Sequence, residues 1–258
     1  MVNKSRPLVI TGNWKMYKTI DQALAFIQGL LSRFSKTSAQ IYLAVPFTAI
    51  KPAADLVRDS ECITLGAQNM FDASEGAFTG EVAATMLVDA GARFVLLGHS
   101  ERRRFFNEDN AFINKKVHRA LKENLQPILC IGETLAEREA GAAEAVLTKQ
   151  ISECLAGVKI EQAACLMVAY EPVWAIGTDQ VATPEIAQQM HAFCRAQLTQ
   201  LFGPSIAEKT VIQYGGSVKA ENAAELIKQP DIDGLLVGGA SLSVESFSKI
   251  IDSTLHDF

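Results

Sequence analysis

The amino-acid sequence predicts an α/β fold, a single (β/α)8 barrel of eight parallel strands that takes residues 1–258 as one domain. Three observations carry this. Short apolar runs recur along the whole chain, they are apolar throughout rather than alternating, and each is followed by a segment with helical periodicity. Such runs suit strands covered on both faces, the condition of a parallel sheet between helices. Eight strand–helix units without a Pro/Gly/Ser-rich boundary or a charge run between them fit one closed barrel. The alternative topology is a doubly wound open sheet.

In chain order the runs are "PLVITGN", "IYLAVP", "ITLGAQ", "RFVLLGH", "PILCIGE", "LMVAYEP", "TVIQYGG" and "DGLLVGG". The helix after the first opens on a capping-box pair, Thr19 and Gln22, and its spacing puts Ile20, Leu24, Ile27, Leu31 and Phe34 on one face. Thr134 with Glu137 starts another helix after the fifth run. Thr183-Pro184-Glu185 starts one after the sixth, with an N-cap, a proline at the first helical position and an early acid. The connection "QNMFDASEGAFTGEV", residues 68–82, is too long for a routine strand-to-helix turn and predicts a functional loop.

Apolar residues at 48% and charged residues at 21% are those of a soluble globular chain, and no run approaches the roughly 20 apolar residues of a membrane span. The first residues lack the apolar core and cleavage pattern of a secretory signal, so a cytoplasmic location is expected. Cys62, Cys130, Cys154, Cys165 and Cys194 form no CxxC pair, which predicts reduced thiols. A net charge of -5, with no basic stripe beyond "ERRRFF", argues against nucleic acid as a partner; an anionic ligand must be small and held locally.

In such barrels the chemistry sits in the loops after the strands. Those ends carry Asn13 and Lys15, His99 and Glu101, Glu171, Gly215, Gly216 and Ser217, and Gly238 and Gly239. Glu171 ends an apolar run, where a carboxylate either has a structural partner or is kept for use. Burial disfavours the charged form of a carboxylate, which matches a general base that takes and returns a proton. His99 precedes "SERRRFF", a helical turn whose N–H groups disfavour a positive imidazole and leave a neutral donor. His118 and His191 lie inside helical patterns and His256 in the tail, where packing or surface roles are expected. No second histidine stands at ligand spacing, so no metal is expected. The two glycine pairs let backbone N–H groups approach a phosphate, while the absence of GxGxxG or a Walker loop gives no sign of a dinucleotide or ATP cofactor.

The segments "GNWKMY", "LLGHSERR", "CIGETLAERE", "AYEPVWAIGT", "QYGGSV" and "GLLVGGASL", in this order from first strand to last, resemble the triosephosphate isomerase family. The resemblance implies a homodimeric TIM barrel that interconverts dihydroxyacetone phosphate and D-glyceraldehyde 3-phosphate through an enediolate, without a cofactor, in glycolysis and gluconeogenesis. By the same resemblance Glu171 is the base and His99 the neutral electrophile, Asn13 and Lys15 hold substrate oxygens, and Glu101 supports the site. Gly177, Ser217, Gly238 and Gly239 would grip the phosphate. Pro172, Val173, Trp174, Ala175, Ile176, Gly177 and Thr178 would belong to a lid reaching about Ala182. The glutamate base, neutral histidine and closing lid are the family's established roles, carried over here by position.

The resemblance further implies that the 68–82 loop inserts into the partner subunit, with Thr79 near Lys15 of the partner subunit and Glu81 and Arg102 as a supporting pair. Cys130 lies close to the site in relatives and reads here as a small barrel filler. Asp179 and Gln180 stand where relatives carry glycine and often lysine, and Tyr17 where other residues are usual; these departures bear on lid motion. Two rival readings of the residues are an aldolase-type barrel with a Schiff base on Lys15 and a phospholigand-binding barrel without turnover. The full set of strand-end residues argues against the second of these, and borohydride trapping with dihydroxyacetone phosphate decides the first.

Overall fold

The computed structural model describes residues 6–176 and 182–255. Each of the eight apolar runs forms a strand: β1 (Val9–Asn13), β2 (Gln40–Val45), β3 (Ile63–Ala67), β4 (Phe94–Leu97), β5 (Gln126–Ile131), β6 (Met167–Tyr170), β7 (Ile212–Tyr214) and β8 (Gly234–Val237). They close in sequence order into one barrel, with every neighbouring pair parallel and β8 returning to pair with β1. Among the described residues no helix is long and apolar enough to cross a membrane.

Two apolar clusters follow from the period of two along a strand. Val9, Tyr42, Ala44, Phe94, Leu96, Ile128, Cys130, Met167, Ala169 and Leu236 pack together as the barrel interior. Their neighbours, such as Ile10, Leu43, Val95, Leu97, Leu129 and Val168, pack outward against the helices. This alternation aims the site: Asn13 is two and four residues beyond Thr11 and Val9, and Glu171 is two and four beyond Ala169 and Met167. Both side chains therefore continue an inward-facing row past the last layer of core.

The first outer helix, Ile20–Arg33, has the expected capping box but buries a different stripe. Ala23, Phe26, Ile27, Leu30 and Phe34 face the barrel, whereas Ile20 is exposed and Leu24 and Leu31 are half-buried. The face is rotated because Phe26, the largest apolar side chain of the helix, meets the buried Trp14 edge-on at 5.0 Å and Phe247 at 6.3 Å. Thr134 and Glu137 form a capping box as expected, though their helix ends at Glu139; Gly141, with φ 68°, turns the chain before the longer helix Ala143–Cys154. Thr183 caps Pro184–Phe202. Residues 68–82 contain no regular element, and their loop closes through a bond from the Phe71 N–H to Val82 O (2.9 Å) and stacking of Phe71 on Phe78.

Opposite the C-terminal rim, buried charges tie the strand beginnings together. Asp233 takes Arg6 at 2.6 Å and Arg195 at 2.7 Å, and Arg195 also holds Asp231 at 2.6 Å. Beside them His191 is fully buried and edge-on to Tyr170. Burial pushes its pKa down to about 4, against the partial opposition of a bond to Ala187 O. The sign follows directly: the unfolded chain takes up this proton near pH 6.5 and the folded one only near 4, so stability present above pH 6.5 is lost as pH falls toward 4. Wild type should lose about 3 kcal/mol more than His191→Gln across that window, as one pKa unit is about 1.4 kcal/mol. Denaturant melts of both proteins at pH 7 and pH 4.5 check this; equal losses would contradict it.

Candidate active site

Asn13, Lys15, His99, Glu171, Ser217, Gly238 and Gly239 line one cavity of about 260 Å³ at the C-terminal rim, with Gly215 and Gly216 beside them. Glu171 is only 2% exposed. Its backbone N–H donates to Ile131 O at 2.7 Å, continuing the β5–β6 ladder one residue past β6. Its carboxylate accepts the Ser100 N–H at 3.1 Å on Oε2, and Oε1 lies 3.2 Å from His99 Nε2. The site thus supplies a buried carboxylate with polar partners that hold it without a full counter-charge.

His99 caps the helix Ser100–Phe106, and its Nδ1 accepts the Glu101 N–H at 3.3 Å. A ring nitrogen that accepts an amide hydrogen carries none of its own. The ring proton therefore resides on Nε2, the nitrogen that faces Glu171 and the cavity. This is the tautomer a neutral electrophile requires, and the fold sets it through one backbone bond.

Lys15 adopts a left-handed backbone (φ 52°), and its N–H donates to Asn13 Oδ1 at 3.1 Å. That turn brings its ammonium over the cavity, where it pairs with Glu101 Oε1 at 2.7 Å in a partly solvated bridge. Cys130 lies under the base. Burial, reinforced by the charge of Glu171 and a bond to it, pushes the thiol well up and keeps it protonated, so a packing role stands and nucleophilic chemistry does not.

Of the residues expected to form a lid, Pro172 leads into a single 3-10 turn, Val173–Ala175, followed by Ile176. Gly177, Thr178, Asp179 and Gln180 lie outside the described residues, as does His256. The 3-10 turn is anchored on the fully buried Glu133, whose Oε1 receives Trp174 Nε1 (2.8 Å), the Tyr170 hydroxyl (3.0 Å) and Arg138 (3.1 Å). At the loop after β3, Thr79 and Glu81 are exposed. Arg102 does not pair with Glu81 within the chain; its partner is the buried Glu108, at 2.6 Å, which also holds Lys116. Glu108 follows on the same segment, where the left-handed Asn107 turns the chain back under the helix.

Three groups were not foreseen. The Ser100 N–H and Glu133 are described above. The third, Arg103, donates to Gly98 O (2.7 Å) and Cys130 O (3.1 Å), so one guanidinium joins the strand end bearing His99 to the strand beside Glu171. A side chain on Gly98, which has φ 76°, would come within 2.9 Å of it. Gly132 makes a similar close approach: a Cβ there would lie 1.7 Å from Glu171 O. In the sequence only the run "ERRRFF" hinted at Arg103, and nothing separated its three arginines.

A carboxylate facing an imidazole above the strands of a closed parallel barrel, with an ammonium and glycine loops across the cavity, defines an acid–base enzyme of the (β/α)8 class. The family model described as Triosephosphate isomerase matches residues 8–254. The Triosephosphate isomerase of Protochlamydia amoebophila is 56% identical over 247 residues, covering 96% of this chain and 93% of its own. That of Chloroflexus aurantiacus is 51% identical over 244 residues (94% and 97%), and that of Carboxydothermus hydrogenoformans 52% over 247 (95% and 98%). The chain belongs to the triosephosphate isomerase family.

Proposed function

We infer that the chain interconverts dihydroxyacetone phosphate and D-glyceraldehyde 3-phosphate without a cofactor, an aldose–ketose isomerisation, with Glu171 as the base. The observation that carries this is the contact of Glu171 with the proton-bearing Nε2 of His99 inside the cavity that Lys15, Gly238 and Gly239 complete. Glu171 takes a proton from the carbon beside the carbonyl, and the C–H electrons move into the C–C bond as the carbonyl oxygen gains charge. His99 Nε2–H turns from the carboxylate to that oxygen. Lys15 and Asn13 bind the substrate oxygens, and Glu101 steadies Lys15. His99 Nε2 gives its proton to the charged oxygen and takes the proton of the neighbouring hydroxyl. Glu171 then returns the first proton to the neighbouring carbon, and the oxygen of that hydroxyl becomes the new carbonyl. Its bond to the Ser100 N–H is the resting position from which it moves toward substrate.

The phosphate is held by backbone near Gly177, Ser217, Gly238 and Gly239, and the lid from Pro172 closes to keep water from the enediolate. The enzyme acts in the cytoplasm, serving glycolysis and gluconeogenesis and drawing on triose phosphate from the pentose shunt. A coupled assay of triose phosphate interconversion tests the reading. Borohydride inactivation in the presence of dihydroxyacetone phosphate would instead favour a Schiff base on Lys15.

The active form is a homodimer completed by the 68–82 loop, with Thr79 reaching Lys15 of the partner subunit. Support comes from Met16 (95% exposed), Phe105 (63%) and Phe106 (62%), which border the cavity's outer wall beside Lys15 and leave an apolar surface for a neighbour. Arg102 borders that surface, and with Glu81 it is assigned the polar support of the interface. Deleting residues 72–78 should give a weakly active monomer; sedimentation that finds the deletion variant monomeric and fully active would contradict the assembly.

A further inference from the structure

We propose that Lys18 is a positioning residue whose ammonium ties the loop after β1 to the turn after β8, so that Lys15 and the Gly238 and Gly239 amides address one phosphate. The idea rests on the phosphate placement above. Lys18 Nζ donates to Leu242 O at 2.7 Å. It sits over the rings of Phe26 (4.7 Å) and Trp14 (5.3 Å), and among the described residues it has no carboxylate partner. Burial lowers its pKa accordingly. The backbone is left-handed at φ 76°, a conformation that glycine adopts without strain and a lysine holds only against a compensating contact. The bond to Leu242 and the two rings are that contact.

Leu242 ends the 3-10 turn Gly239–Leu242, and the other end of this turn lies at the cavity. The turn is stiff, because the Ser241 N–H (2.8 Å) and hydroxyl (2.7 Å) both donate to Gly238 O. It is also seated on β1, where a Cβ on Gly12 would meet Ser241 Cβ at 3.1 Å. Lys18 holds its far end. Between Lys15 and Lys18 the loop is unsupported, since Met16 and Tyr17 are exposed. The two loops therefore meet twice: Lys15 passes Gly238, where an added Cβ would lie 3.5 Å from its Cε, and Lys18 bonds Leu242.

Lys18→Met keeps the methylene packing over the rings and removes the donor, while Lys18→Arg restores one. Steady-state kinetics, competitive inhibition by inorganic phosphate and thermal melts are measured on wild type and both variants. The Met variant should raise KM and the inhibition constant of phosphate together, by roughly three- to tenfold, with kcat within about twofold, because the loss is in placement of the phosphate grip. The Arg variant should recover most of both. A Met variant with a lowered Tm but unchanged KM and phosphate inhibition would make Lys18 merely structural and overturn the proposal. Failure of phosphate to compete with substrate in wild type would sink the phosphate placement itself, and the role of Lys18 with it.

Discussion

Glu171→Gln should lower kcat by roughly 10²–10⁴-fold, the usual contribution of a positioned general base, while the barrel still folds. An amide cannot accept the proton from carbon, so the loss falls on the chemical step rather than on binding. The structure adds a detail that a simple charge argument lacks. Oε2 of the carboxylate accepts the Ser100 N–H while Oε1 lies 3.2 Å from His99 Nε2, and an amide keeps only one acceptor. Where the new NH2 group faces Ser100, its N–H is left unmet, costing about 1–3 kcal/mol of stability. Activity within a few-fold of wild type in a well-folded variant would remove Glu171 from the chemistry.

His99→Ala should also act mainly on kcat. Removing one preorganised donor to a developing oxyanion costs about 2.7–4 kcal/mol of transition-state stabilisation, roughly a 10²–10³-fold loss. The variant loses a second function as well, since Nδ1 is the cap of helix Ser100–Phe106; a stability loss near 1 kcal/mol is typical of a removed cap. The two effects separate by experiment, because capping moves Tm and oxyanion stabilisation moves kcat. A change confined to KM would make His99 a binding residue.

The sequence made the rim legible because a parallel barrel turns strand order into geometry. Asn13, His99, Glu171, Ser217 and Gly238 follow different strands, yet one face collects them. The eight apolar runs were equally informative, since each of them forms a strand of the barrel. Periodicity was less so for the first helix, where a regular pattern selected Ile20 and the packing of Phe26 against Trp14 selected Ala23 and Leu30 instead. What stayed hidden were contacts made by convergence. Glu133 is one carboxylate in "CIGETLAERE" until the fold brings Tyr170, Trp174 and Arg138 to it. The Ser100 N–H has no side-chain signature at all. The Arg102–Glu108 pair stayed hidden for the converse reason, as a local turn at Asn107 brings Arg102 a buried acid.

The central claim, that Glu171 moves a proton between adjacent carbons, is tested most directly by following carbon-bound hydrogen in deuterated water. With dihydroxyacetone phosphate as substrate, proton NMR should show wild type replacing a hydrogen of the carbon beside the carbonyl with deuterium. Glu171→Gln should slow that exchange by the same factor as it slows turnover. Exchange at the wild-type rate in Glu171→Gln would contradict the account.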